Sequence, residues 1–179
     1  MASKSFVYKL GSGNFATIEL WVSSTTNVAN NTSTITAVLW GQTLFSGSID
    51  IGSRPNTSHT VNGGDAKTYT AKAFVRSTVG WTELGRTTHV VTHNSDGTKT
   101  VTMNAKYPIE STVQGVYHGT VNVGGSFVLD NIPRGMVYVG DSGGTTRRGQ
   151  VWVGDTGGTP RKAIGVWVGD ANGTPRRSK

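Results

Sequence analysis

Between Phe6 and Leu129, apolar residues recur at every second position in short runs, and Gly, Asn and Asp separate the runs. A period of two marks a strand with one face on a core and the other toward solvent, because successive side chains of an extended chain point to opposite sides. The alternation is cleanest after Thr100, where Val101, Met103, Ala105 and Tyr107 interleave with Thr102, Asn104 and Lys106. Tyr69 to Val75 predicts a further strand, with Tyr69, Ala71, Ala73 and Val75 on one face. Phe15 to Val22 alternates less cleanly. Ile35 to Trp40 is mostly apolar, which suits a strand deep in a sandwich. Thr120 to Leu129 predicts a last strand, and Gly124-Gly125 in its middle predicts a bulge or a close backbone contact.

The strongest local expectation is a hairpin. Thr87 to His93 and Thr98 to Tyr107 flank Asn94-Ser95-Asp96-Gly97, and Asp-Gly supplies the positive φ that a tight turn needs. About eight such strands, with turns roughly every 8–14 residues, predict an all-β fold: an antiparallel β-sandwich, immunoglobulin-like or jelly-roll-like. The strand order does not follow from the pattern.

Asp130-Asn131-Ile132-Pro133-Arg134 interrupts the alternation, since Pro lacks an amide donor and restricts its predecessor. The expected division is therefore a sandwich domain over 1–134 and a second region over 135–179. That region repeats: VYVGDSGGTTRR from Val137, VWVGDTGGTPRK from Val151 and VWVGDANGTPRR from Val166. Each unit reads as a short strand, a Gly-rich turn and a basic exit. A unit this small buries too little to fold alone, so a small β-repeat array is expected, either stacked on itself or added to a partner's sheet edge.

Composition narrows the classes. The 179 residues include no Cys, which excludes disulfides, thiolate metal sites and a Cys nucleophile. Neither an apolar leader nor a window of about 20 apolar residues is present, so synthesis in a cytoplasm and no membrane span are expected. Asn30, Asn31 and Asn56 open glycosylation triplets that read as turn residues in that setting. The net charge is +7, with +3 over 1–134 and +4 over 135–179. Basicity thus gathers in the repeats and forms no module for sequence-specific nucleic-acid reading.

Candidate chemistry is sparse. His89 and His93, with Asp96 nearby, invite a metal reading, but residues four apart on a strand lie about 13 Å apart, too far to share one ion. Asp141, Asp155 and Asp170 offer one carboxylate per repeat, and calcium needs six to eight oxygens, so they read as turn formers. Glu19, Asp50, Asp65, Glu83 and Glu110 stand singly, without a catalytic motif. No enzyme activity, metal or cofactor is expected. Trp81 and Tyr69 are candidates for glycan contact, because sugar C–H faces stack on aromatic rings; packing in the core is the first expectation for each. Tyr138, Trp152 and Trp167 recur with the repeat valines. Together with Arg147, Arg148, Arg161, Lys162, Arg176 and Arg177 they are expected to dock onto partner chains, with solvated strand ends as the alternative.

Three segments carry a resemblance. Leu20 to Trp40, with Asn30-Asn31-Thr32-Ser33 between two strands, resembles minor structural proteins of siphophage tails. So does His93-Asn94-Ser95-Asp96-Gly97-Thr98-Lys99-Thr100-Val101, as does the Gly125-Ser126-Phe127-Val128-Leu129-Asp130-Asn131-Ile132-Pro133-Arg134 ending. The repeats are similar to Val-Trp-Val-Gly units at the ends of actinobacterial phage tail proteins. The resemblance implies a virion location, tail rather than capsid, and a minor tail protein at the tip or baseplate. Its partners would be other virion structural proteins and copies of itself, with host cell-wall glycan a further partner. A capsid-decorating protein and a carbohydrate-binding host-recognition adhesin remain the alternatives.

Overall fold

The computed structural model describes residues 1–64 and 66–132 throughout and, within 133–179, the backbone of six short strands. Contacts divide the chain into two units, Met1–Pro133 and Arg134–Lys179. The strands of the first unit are β1 (Ser3–Leu10), β2 (Ala16–Asn27), β3 (Thr32–Thr43), β4 (Ile49–Ile51), β5 (Arg54–Val61), β6 (Lys67–Ala71), β7 (Phe74–Arg76), β8 (Gly80–Thr92), β9 (Thr100–Val113) and β10 (Val116–Val128). One 3-10 turn at Ser12–Asn14 is the sole helical element among the described residues, and none of their helices is long and apolar enough to cross a membrane.

The protein is all-β and sandwich-like. One four-stranded sheet has the order β1-β2-β3-β8 and a second the order β10-β9-β5-β6, while β4 and β7 pair separately. Neighbours run antiparallel throughout the unit. The period of two decides which side chains meet. Ile18, Leu20, Ile35 and Leu39 of the first sheet join Met103, Tyr107, Val123 and Phe127 of the second in one buried cluster. Each such side chain contributes about 1.5–3 kcal/mol by leaving water. β3 is a central strand, as its apolar run implies, and Gly124 is a site of close approach: a Cβ there would collide with the Met103 carbonyl oxygen. The register shift of β10 falls instead between His118 and Thr120.

Two expectations are corrected. The turn at Asn94–Gly97 forms, with Gly97 at φ 86° and its amide donating to the Asn94 carbonyl at 3.0 Å. Its arms, however, do not pair: β8 joins β3 in one sheet, and β9 joins β10 and β5 in the other. The segment is an arch across the sandwich. The physical reason lies in the arm before the turn, where His89 and His93 take the inward positions and Val90 is left 69% exposed. The strand expected over Tyr69–Val75 is likewise broken at Lys72. The Lys72 amide donates to the Leu84 carbonyl, Ala71 and Phe74 are both buried, and Phe74 begins β7, which pairs with β4.

The inward histidines explain how the layers are tied. All four histidines of the chain are buried. His93 bonds the Ser33 hydroxyl of β3 through Nε2 at 2.8 Å and the Gly97 carbonyl through Nδ1 at 2.9 Å. Its amide donates to the Asn31 carbonyl, and the Asn31 side-chain amide donates to the His93 carbonyl. His118 of β10 accepts from the Gly11 amide at 3.1 Å and lies edge-on to Tyr8 of β1. His59 of β5 reaches the Thr87 hydroxyl of β8 at 2.8 Å and the Tyr69 hydroxyl at 2.9 Å, and Thr87 continues to His89 at 3.1 Å. Two of the four, His59 and His118, thus bond directly from one sheet to the other; His93 ties the arch to β3 of the first sheet, and His89 extends the His59 link along β8.

Replacing His93 with Ala removes its hydrogen bonds to the Ser33 hydroxyl and the Gly97 carbonyl, leaving the first with the Thr26 hydroxyl at 3.4 Å and the second with the Ile132 amide at 3.0 Å, and opens a cavity beside β3. Its expected cost is about 3 kcal/mol of unfolding free energy, read from urea denaturation. Acid should act through His59. Burial, reinforced by neighbouring His89, pushes its imidazole from 6.5 down to about 4, and burial and then Lys67 lower that of His89 too. The unfolded chain takes up the His59 proton near pH 6.5 and the folded chain resists it to about pH 4. Stability is therefore full above pH 6.5 and falls as pH drops toward 4, by about 3 kcal/mol for His59. The urea midpoint should drop across that window in the native chain, and His59→Gln should flatten the profile.

Candidate functional site

Burial of one face of each strand leaves the other outside, so the register of the first sheet composes its outer surface. Three rows cross β1, β2, β3 and β8 in order: Ser5, Trp21, Val38 and Arg86; Val7, Glu19, Trp40 and Glu83; Lys9, Thr17, Gln42 and Trp81. The three tryptophans step one strand and one row at a time, forming a diagonal. Trp21 lies 5.7 Å from Trp40 and 5.2 Å from Trp81 between ring centroids, and Trp40 lies 6.3 Å from Trp81, with interplanar angles of 48°, 65° and 87°. Trp21 and Trp81 remain 43% and 37% exposed, and Trp40 is half-buried between them. Tilted and edge-on indole pairs are electrostatically favourable and hold their geometry.

The charges around this cluster are already engaged. Glu19 accepts from Trp21 Nε1 at 2.9 Å and from the Thr17 hydroxyl at 3.1 Å. Glu83 pairs with Arg86 at 2.9 Å, and the guanidinium's hydrogen bond holds that carboxyl below its usual range. The Lys4 ammonium donates to the Ser126 carbonyl at 2.9 Å. Beside the indoles runs a groove of about 490 Å³, lined by Trp21, Trp40, Arg86 and the hydroxyl-bearing Ser3, Ser5 and Ser23. Such a surface can stack a flat apolar face and hydrogen-bond its rim. It has no unpaired carboxylate or imidazole positioned for proton transfer.

Other regions offer less. A groove of about 580 Å³ on the second sheet is lined by amides and hydroxyls, including Asn56, Ser58, Asn104 and Asn122, and has no aromatic wall. The run Tyr69–His59–Thr87–His89 is titratable but sealed, with His59 at 0% exposure. No group of three or more His, Asp or Glu that could hold a metal exists among the described residues.

The two residues singled out for glycan contact part company. Trp81 lies on the outer face within the tryptophan cluster, where the first expectation had placed it in the core. Tyr69 is half-buried, packed edge-on against His59 at 5.1 Å, and burial drives its phenol well above the ordinary range. Trp21 and Trp40, which the sequence reading passed over, do carry a signal there. Both fall out of phase with the apolar sets Ala16-Ile18-Leu20-Val22 and Ile35-Ala37-Leu39.

In the second unit the described strands form three separate antiparallel pairs. These are β11 (Val137–Gly140) with β12 (Thr146–Gly149), β13 (Trp152–Gly154) with β14 (Pro160–Lys162), and β15 (Trp167–Gly169) with β16 (Pro175–Arg177). Their registers set Tyr138 opposite Arg148, Trp152 opposite Lys162 and Trp167 opposite Arg177. Arg147, Arg161 and Arg176 stand opposite Val139, Val153 and Val168. Asp141, Asp155 and Asp170 lie outside the described residues. No protein-family model, curated protein or solved structure matches the chain.

Proposed function

We propose that the protein is a non-catalytic structural protein of a tailed-bacteriophage virion, a minor tail protein at the tip or baseplate that also serves host attachment. The observation that carries the reading is the tryptophan diagonal on the outer face of a rigid sheet. Soluble monomers rarely expose large apolar groups in a contiguous patch unless the patch is used. The ordered resemblance of residues 15–134 to siphophage minor structural proteins supplies the virion setting.

The repeats supply attachment to the particle. Each described strand pair sets an aromatic opposite a cation, and three copies of one weak contact become a strong one when neighbouring virion chains present matching sites together. In this reading the sandwich faces the host and the array holds the protein in place.

Immunogold labelling of intact particles should mark the tail tip, and labelling confined to the head would contradict the reading. A chain ending at Gly135 should keep its thermal midpoint within about 4 °C yet be lost from purified particles. Undiminished incorporation of that chain would remove the docking role of the array.

A further inference from the structure

We infer that the tryptophan face binds an uncharged pyranose sugar, stacked on the compact cluster of Trp21, Trp40 and Trp81 with its polar rim in the serine-lined groove. The inference rests on the attachment reading and names what that face recognises.

Three observations carry it. The first is shape. The three ring centroids lie 5.2 to 6.3 Å from one another, so the indoles converge from three strands into one compact apolar platform about as wide as a sugar ring. The second is chemistry. A pyranose offers an apolar C–H face and a belt of hydroxyls, and the site pairs exposed indoles with Ser3, Ser5 and Ser23 beside them. The third is charge. Glu83 is paired with Arg86, Lys4 donates to a carbonyl, and Glu19 accepts from Trp21 and Thr17, so the charges beside the indoles are engaged, while exposed Lys9 stands on β1, three strands from Trp81. A protein partner would need a patch of roughly 800 Å² on each side with an apolar centre. The rows beyond the indoles instead carry Ser23, Thr36 and Thr88.

Aromatic stacking of this kind gives modest affinity, so dissociation constants near the millimolar range are expected for short oligomers. The intact protein is titrated with β-1,4-linked N-acetylglucosamine and glucose oligomers of two to six rings, followed by tryptophan fluorescence. At least one series should quench and shift the emission. Trp21→Ala and Trp81→Ala should each weaken binding at least tenfold, Trp81→Tyr should retain a measurable part, and Trp167→Ala should change nothing. Circular dichroism checks that each variant is folded.

Affinity that survives both alanine variants, or that tracks the charge of the oligomer and collapses in salt, would overturn the assignment. Binding of purified host walls that needs Trp21 and Trp81 but is not competed by any neutral oligomer would overturn the sugar and keep the attachment face. No wall binding at all would overturn the attachment face itself. Self-association in sedimentation velocity that disappears in Trp21→Ala would assign the face to a second copy of the chain and overturn the proposal.

Discussion

The inner faces of the two sheets bury one another's apolar side chains, with Ile49, Ile51 and Phe74 of the β4–β7 pair in the same cluster, and closing them in register is the constraint on which the rest of the structure depends. Apolar area supplies the driving force, and hydrogen-bonded imidazoles set the alignment. His59 and His118 bond across the layers, and His93 ties the arch to β3. An unbonded polar group in this position costs about 1–3 kcal/mol, so the sheets gain full stability only when these bonds close together. This account also explains why the chain tolerates histidine in its core at all. A neutral imidazole donates at one nitrogen and accepts at the other, and so can join a hydroxyl to a carbonyl between two layers.

Fixing the inner face fixes the outer one. A slip of one residue in β2 or β3 would carry Trp21 or Trp40 into the core and expel Leu20 or Leu39, exchanging every contact of the strand at once. The tryptophan diagonal therefore inherits the rigidity of the core beneath it. Rigid aromatic groups lose little conformational entropy on binding, which favours recognition of a weakly interacting surface such as a sugar face. Edge and tip positions, including the strand pairs of the repeats, need no such precision, since recurrence can compensate for weak individual contacts.

Most of the strands were legible because alternation reports burial directly. Val101 to Tyr107 is the plainest case, and the all-β, antiparallel, sandwich-like architecture follows from many such runs. Pairing was not legible, because alternation says which face of a strand is buried and not which strand lies beside it. The Asn94–Gly97 turn has the local chemistry of a hairpin, yet His89 and His93 point inward and send its arms to different sheets. The break at Lys72 is hidden for a similar reason: β7 is three residues long and is held by β4, more than twenty positions earlier. The site suffered most. Trp81 stood out by itself, but only the register of four strands brings Trp21 and Trp40 to it, and Tyr69 is drawn away by His59.

The central claim is that a face defined by Trp21, Trp40 and Trp81, and not the repeats, meets the host surface. The chain has five tryptophans, three in the cluster and two in the repeats, so their indole N–H signals report on both places at once. In nuclear magnetic resonance spectra recorded while protein-free host-wall fragments are added, the signals of Trp21, Trp40 and Trp81 should move together while Trp152 and Trp167 stay in place. Movement confined to Trp152 and Trp167, with the three cluster signals unchanged at saturating wall, would contradict the account.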